Sequence, residues 1–233
     1  MARRPPRRAR LTRRTTQLGT EFLGVLLNPP WASITPKQVE ALALPKLCPV
    51  GFIFVWVEKE VLDQVVDVLV QQKYVYVENL TWVLMNANNR ARARTACTPA
   101  QRAPDLSPGA PQVVQGAAPY TGRSHRTLLI FRRDTREFPK GKEIELRHQR
   151  SPDVEVQIAN TAAGASFSVL PAVPALTRAI ICRADGRLLT PDAAYKAIET
   201  LLPGGYTAGQ PGRFLELWGH PEVRRSGWTH VCC

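Results

Sequence analysis

The tetrapeptide Asn28-Pro29-Pro30-Trp31 brings together the groups needed to hold an exocyclic amine beside a flat ring. Asn28 offers a side-chain amide oxygen as acceptor. The two prolines stiffen the turn and remove two backbone donors, which leaves their carbonyl oxygens to accept. Trp31 adds a face on which a base can stack. The same four residues also suit a plainer role, a rigid turn carrying a core tryptophan.

The elements that must position this turn are legible around it. Residues 22–27 form an apolar run broken only by Gly24. A continuous rather than alternating run predicts a strand buried on both faces, as in a parallel sheet covered by helices. Such sheets bind ligands at the carboxyl ends of their strands, where the tetrapeptide lies. Thr35-Pro36-Lys37-Gln38 predicts a helix start, with Thr35 as cap, Pro36 in the first turn and Gln38 closing a capping box. A second buried strand is expected at 51–57. A helix follows at 60–72, with Val61, Val65 and Leu69 inward, Leu62 and Val66 beside them, and Asp63, Gln64 and Asp67 outward. Strand segments follow at 74–77, 80–85 and 126–133, with a short candidate at 143–147. Thr190-Pro191-Asp192 opens another helix, with Ala194, Tyr195, Ile198, Leu201 and Leu202 inward and Pro203-Gly204-Gly205 at its end. Residues 214–218 complete the strands. This rhythm of strand and helix predicts an α/β, Rossmann-like fold, a mostly parallel sheet with helices on both faces.

Two regions depart from it. Residues 1–20 form a basic arm with Arg3, Arg4, Arg7, Arg8, Arg10, Arg13 and Arg14, expected to be disordered alone. Residues 87–123 carry Arg90, Arg92, Arg94 and Arg102 among Ala and Pro, and predict a mobile insertion in the domain spanning 21–233. No pattern of periodicity places residues 159–179.

The chain has 233 residues and a net charge of +12, which points to an anionic partner, nucleic acid being the commonest. The arm, Arg90, Arg92, Arg94, Arg147, Arg150, Arg224 and Arg225 are the candidate phosphate contacts. No apolar run long enough for a membrane span is present. Cys48, Cys97, Cys182, Cys232 and Cys233 match no zinc spacing and read as reduced thiols of an intracellular protein. His125, His148, His220 and His230 show no metal spacing and no nucleophile motif, and read as surface or packing residues. Trp56, Trp82, Trp218 and Trp228 read as core. No metal site is expected.

The order and spacing of several segments resemble the eukaryotic MTA-type adenine-N6 methyltransferases. These segments are Asn28-Pro29-Pro30-Trp31, Gly51 to Val57, Tyr74 to Glu78 with Trp82-Val83 and Asn86, and Glu145-Leu146-Arg147. Towards the C-terminus they continue with Pro191-Asp192, Tyr195, Ile198-Glu199, Pro203-Gly204, Leu215 to Gly219 and Gly227-Trp228-Thr229. The resemblance implies a Rossmann-like sheet that binds S-adenosylmethionine (SAM) at strand ends, with a flipped adenine at the Pro-Pro turn. It implies cofactor contacts at Asn28, Arg132, Glu216, Gly219 and His220. Arg132 stands near the family's cofactor-contacting lysine, and Glu216 is placed to reach a ribose hydroxyl or to pair with a nearby arginine.

Departures from the family pattern bear on activity. Active members carry Asp where Asn28 stands, although other adenine methyltransferases use Asn-Pro-Pro-aromatic turns. After Gly219 the family places Arg, then His and Asn, where this chain has His220, Glu222 and Val223. Its ribose-holding Asn-Gln pair is expected at about Cys233. Each lost hydrogen bond removes about 0.5–1.5 kcal/mol, so losing several weakens cofactor binding by orders of magnitude.

The reading that follows is a non-catalytic or weakly active subunit that binds no cofactor, supports a catalytic adenine-N6 methyltransferase partner in a heterodimer, and holds nucleic acid, DNA rather than RNA. An active SAM-dependent enzyme and a basic protein-binding scaffold are the alternatives. A nuclear site is expected, and the Arg-rich, acid-poor N-terminus also resembles an organelle address.

Overall fold

The computed structural model describes residues 21–85, 125–148, 153–158, 190–206, 212–220 and 223–231. The run ahead of the Asn-Pro-Pro-Trp turn becomes strand β1 (Gly24–Leu27), with every residue buried. Thr35 then starts helix α1 (Pro36–Glu40), and its backbone N–H donates to Gln38 Oε1 at 2.9 Å, the expected capping box. A second one-turn helix, α2 (Leu44–Leu47), leads to β2 (Phe52–Val57). Helix α3 (Leu62–Gln71) buries Val65, Val68 and Leu69 and returns the chain to β3 (Tyr74–Met85).

The β-rich segments on either side of Glu78-Asn79 are one strand. Its pairing shifts register between Tyr76 and Glu78, so the local break in β-forming residues is absorbed as an irregularity in a long ladder with β4 (His125–Arg133). The strand expected at 143–147 does not form. A 3-10 turn spans Pro139–Glu143, fixed by the Arg132 guanidinium donating to the Gly141 carbonyl, and Ile144 and Leu146 then pack onto the core in irregular backbone. Strand β5 (Val154–Ile158) was not apparent from sequence pattern. Helix α4 (Asp192–Leu201), a 3-10 turn at Pro203–Gly205, β6 (Phe214–Leu217) and β7 (Trp228–Val231) complete the described elements.

These strands form one seven-stranded sheet in the order β5-β3-β4-β2-β1-β6-β7. The β1–β2, β1–β6, β6–β7 and β3–β5 pairs are parallel, and β4 runs antiparallel to both β2 and β3. The fold is therefore α/β with a mixed, mostly parallel sheet.

Strand alternation divides the core in two. Val25, Leu27, Ile53, Val55, Leu129, Phe131 and Leu215 face α1, α2 and α3 through Val39, Leu44, Leu47, Val65 and Leu69. Leu26, Phe52, Phe54, Trp56, Leu128 and Phe214 face α4 through Ala194, Tyr195 and Ile198. Helices thus cover both faces, which is why β1 and β2 are apolar throughout and β6 is apolar apart from Glu216. Between β1 and β6 the strand order reverses, and in open α/β sheets the ligand crevice lies outside the carboxyl ends of the strands at such a point.

One glycine makes this arrangement possible. A Cβ on Gly51 would collide with the Leu23 carbonyl and come within 2.8 Å of Cys48 Sγ, where the chain enters β2 beside β1.

Candidate functional site

Asn28 extends β1 by one step, its backbone N–H donating to the Leu217 carbonyl at 3.1 Å. Alternation turns its side chain to the α4 face, and it is only 4% exposed. There its Oδ1 accepts from Nη2 of Arg126 at 2.9 Å. Arg126, at the start of β4, is equally buried, and its guanidinium lies 4.6 Å from the Trp56 ring centroid. A desolvated cation over an indole gains on the order of 2 kcal/mol, so the arginine is held from two sides. Trp82 stands opposite Arg126 in the β3–β4 register and meets Trp56 edge-on at 6.3 Å. The indole N–H groups of Trp56 and Trp82 are buried without an acceptor. This corner is rich in donors, and its Asn28 oxygen is engaged.

The rest of the tetrapeptide is bound into the fold more tightly than its sequence suggests. The Pro30 carbonyl accepts from the backbone N–H groups of Ser33 at 2.8 Å and Ile34 at 3.0 Å, so it closes the turn instead of facing a ligand. Trp31 donates its indole N–H to the Trp56 carbonyl at 2.9 Å and packs against the first core cluster. It is half-buried, a wedge between β1 and β2. Pro29 is buried.

Beside Asn28, β6 is followed by Trp218, whose φ of 60° is left-handed and unfavourable for a bulky residue. Its side chain is 3% exposed, so packing holds the strained turn that directs Gly219 and His220. Gly219 is required by Glu216, because a Cβ there would meet Glu216 Oε2 at 2.6 Å. Glu216 is 1% exposed and satisfied within the protein. It accepts from Thr190 Oγ1 at 3.1 Å and Tyr195 OH at 2.9 Å, and pairs with His230 Nδ1 at 2.7 Å. Arg225 donates its backbone N–H to His230 Nε2 at 3.2 Å, so Nδ1 carries the imidazole proton towards Glu216. Burial, and then the Glu216 charge, push the Tyr195 hydroxyl well above the usual tyrosine range.

No protein-family model matches this chain, and no curated protein matches it.

The structure redistributes the residues singled out from sequence. Asn28, Glu216, Gly219 and His220 gather at the carboxyl ends of β1 and β6, with His220 5% exposed. Arg132 does not join them. It pairs with Phe52, at the amino end of β2, and its guanidinium lies over the Phe52 ring and on the Gly141 carbonyl. Six residues along a strand is about 20 Å, so Arg132 belongs to the opposite end of the sheet, and among the described residues Arg126 is the arginine at this site. Glu216 pairs with hydroxyls and an imidazole, not with an arginine.

Among the candidate phosphate contacts, Arg225 is the one most engaged within the protein. It grips Glu199 with two nitrogens at 2.5 and 2.7 Å and Asp192 at 2.5 Å, above the Tyr195 ring. These carboxylates hold its charge and tie the 223–227 segment to α4. Arg147 is exposed and paired with exposed Glu145, and Arg224 donates to the Val223 carbonyl at the surface. Arg3, Arg4, Arg7, Arg8, Arg10, Arg13, Arg14, Arg90, Arg92, Arg94 and Arg150 lie outside the described residues, as does the insertion at 87–123. Among the described residues no group of His, Cys, Asp and Glu is arranged to hold a metal ion, and no helix is long and apolar enough to cross a membrane.

The residues that sequence reading passed over are Arg126, Thr190, Tyr195 and His230 in their polar roles. Arg126 carried a usable signal: it shares a face with Leu128 and Ile130 at period two, which places a charge on a buried stripe. Thr190, Tyr195 and His230 carried none, because their meeting point on Glu216 joins segments far apart in sequence.

Proposed function

We propose that this chain is a methyltransferase-like subunit without catalytic turnover of its own, which supports an active adenine-N6 methyltransferase partner and holds nucleic acid. One observation carries the reading: Arg126 occupies the Asn28 amide oxygen inside the crevice. Adenine N6 is a donor, so recognising it requires an acceptor, and this one already accepts from a guanidinium that stays charged at all physiological pH, which leaves it at most one lone pair. SAM carries a sulfonium cation. A sulfonium bound about 5 Å from this guanidinium, at an effective dielectric near 20, would meet about 3 kcal/mol of repulsion, roughly a hundredfold in affinity. The commitment of Glu216 to Thr190, Tyr195 and His230 supports the same reading, since a ribose hydroxyl would have to displace one of them.

The Rossmann-like methyltransferase assignment of the α/β sheet belongs to this proposal and is supported by the place of Asn28-Pro29-Pro30-Trp31 at the strand-order reversal. The expected result is no heat of SAM binding by the isolated chain, and higher methyl transfer by the active partner when this chain is added. Micromolar SAM binding by the isolated chain would sink the proposal. An active enzyme using the Asn-Pro-Pro-Trp turn is favoured by that same placement. It requires transfer from radiolabelled SAM to DNA or RNA by the purified chain alone, abolished in Asn28→Ala.

A further inference from the structure

The crevice and the cationic surface lie at opposite ends of the sheet. At the amino ends of β1, β2 and β6, four exposed cations come from three separate segments: Lys46 on α2, Lys140 and Lys142 on the 3-10 turn, and Arg213 just before β6. The backbone shows that these segments share one end. Phe22 donates to the Leu47 carbonyl at 2.8 Å and Leu23 to the Arg213 carbonyl at 2.9 Å. Gly141 lies so close to the Val50 carbonyl that a Cβ would come within 3.1 Å of it. Neighbouring strands are about 4.8 Å apart, so β6, β1, β2 and β4 set these cations across about 15 Å.

None of the four is in an ion pair among the described residues. Nearby Lys73 and Arg136 are instead taken by Glu137 at 3.2 Å and Asp134 at 2.9 Å. Besides Glu137, the exposed carboxylates near this end among the described residues include Glu21, Glu40 and Glu143, and Arg132 adds a further positive charge behind Lys140 and Lys142. Where the chain leaves the carboxyl end of β2, the balance is reversed: Glu58, Glu60 and Asp63 outnumber Lys59. The seven arginines of residues 1–20 join the domain through Glu21, at the cationic end.

We infer that duplex nucleic acid lies against the amino ends of β1, β2 and β6, on Lys46, Lys140, Lys142 and Arg213, facing away from the Asn28 crevice. This rests on the nucleic-acid-holding part of the proposed function and deepens it, because a duplex held there cannot offer a flipped base to this chain's own crevice. Contacts made by surface lysines and arginines to phosphate release counterions, with little sequence preference. The C-terminal ends of α3 and α4 point the same way and disfavour phosphate, so the cations must supply the attraction.

The test is fluorescence anisotropy of the full chain with a labelled 30-base-pair duplex across a salt series. In the quadruple variant Lys46→Gln, Lys140→Gln, Lys142→Gln and Arg213→Gln, the slope of log K against log salt is expected to flatten by about 2 to 4, given about 0.9 per phosphate contact. The pairs Lys140→Gln with Lys142→Gln, and Lys46→Gln with Arg213→Gln, are each expected to give about half that change. Lys59→Gln, at the carboxyl end of β2, should leave the slope unchanged. A slope that stays fixed in the amino-end variants, or flattens instead in the Lys59 variant, overturns this surface while leaving nucleic-acid binding intact. Absence of wild-type binding at low salt overturns both this surface and that part of the proposed function, and partner stimulation of methyl transfer then tests the remainder separately.

Discussion

Glu216→Leu is the perturbation that most directly tests how the C-terminal half is held. The carboxylate is 1% exposed and serves Thr190, Tyr195 and His230 at 3.1, 2.9 and 2.7 Å. Leucine fills similar space and accepts nothing, so three buried donors lose their partner, at about 1–3 kcal/mol each. Removing the carboxylate also relieves the cost of burying a charge, which is several kcal/mol and opposes the loss. The net expectation is about 3–5 kcal/mol of destabilisation, a large part of the 5–15 kcal/mol typical of a domain. Glu216→Gln keeps one acceptor oxygen and should lose about 2–3 kcal/mol. Tyr195→Phe leaves the carboxylate with two partners and should lose about 1 kcal/mol. Urea unfolding followed by tryptophan fluorescence and circular dichroism reads the order Leu, then Gln, then Phe, at unchanged denaturant slope. A Glu216→Leu protein as stable as wild type would refute the reasoning, because the three hydrogen bonds would then only compensate a burial that leucine avoids.

Further outcomes follow from other sites. Gly51→Ala forces a Cβ against the Leu23 carbonyl and Cys48 Sγ, so it should destabilise by about 3 kcal/mol and lower Tm by roughly 10 °C in a thermal melt. Burial pushes the Cys48 thiol up from 9.0 to about 12, against the lowering effects of the Gly51 hydrogen bond, Arg133 and Arg213. Burial also lifts the Tyr74 and Tyr195 hydroxyls beyond their usual range. All three are raised, so their contribution is complete below their unfolded-state values and is lost as pH rises. Stability should therefore fall above about pH 9, by up to about 1.4 kcal/mol per pH unit per group, and Cys48→Ala should move the onset towards pH 10 in urea titrations. Asn28→Asp alone should not produce methyl transfer in a radiolabel assay, since Arg126 would take up the new carboxylate as an ion pair; activity in that single variant would refute the role given to Arg126.

The amino-acid order determined much of the scaffold. Unbroken apolar runs at β1 and β2, and a run at β6 interrupted only by Glu216, specify strands covered on both faces, because a polar residue there is buried and needs a partner from elsewhere in the chain. The Thr35–Gln38 capping box and the apolar periodicity of α3 and α4 are local, and the chain encodes them within a few residues. Local order also located Asn28 at the end of a buried strand. It did not determine what Asn28 meets. The antiparallel insertion of β4 beside β2 brings Arg126 to Asn28 from 98 residues away and carries Arg132 to the far end. The joining of Thr190, Tyr195, Glu216 and His230 likewise depends on α4 crossing the sheet and β7 pairing with β6. Hydrogen-bond partnership is a property of position in space, and for buried polar groups the sheet order decides it. The tetrapeptide marked the end of a buried strand, and tertiary structure placed a guanidinium on its amide oxygen.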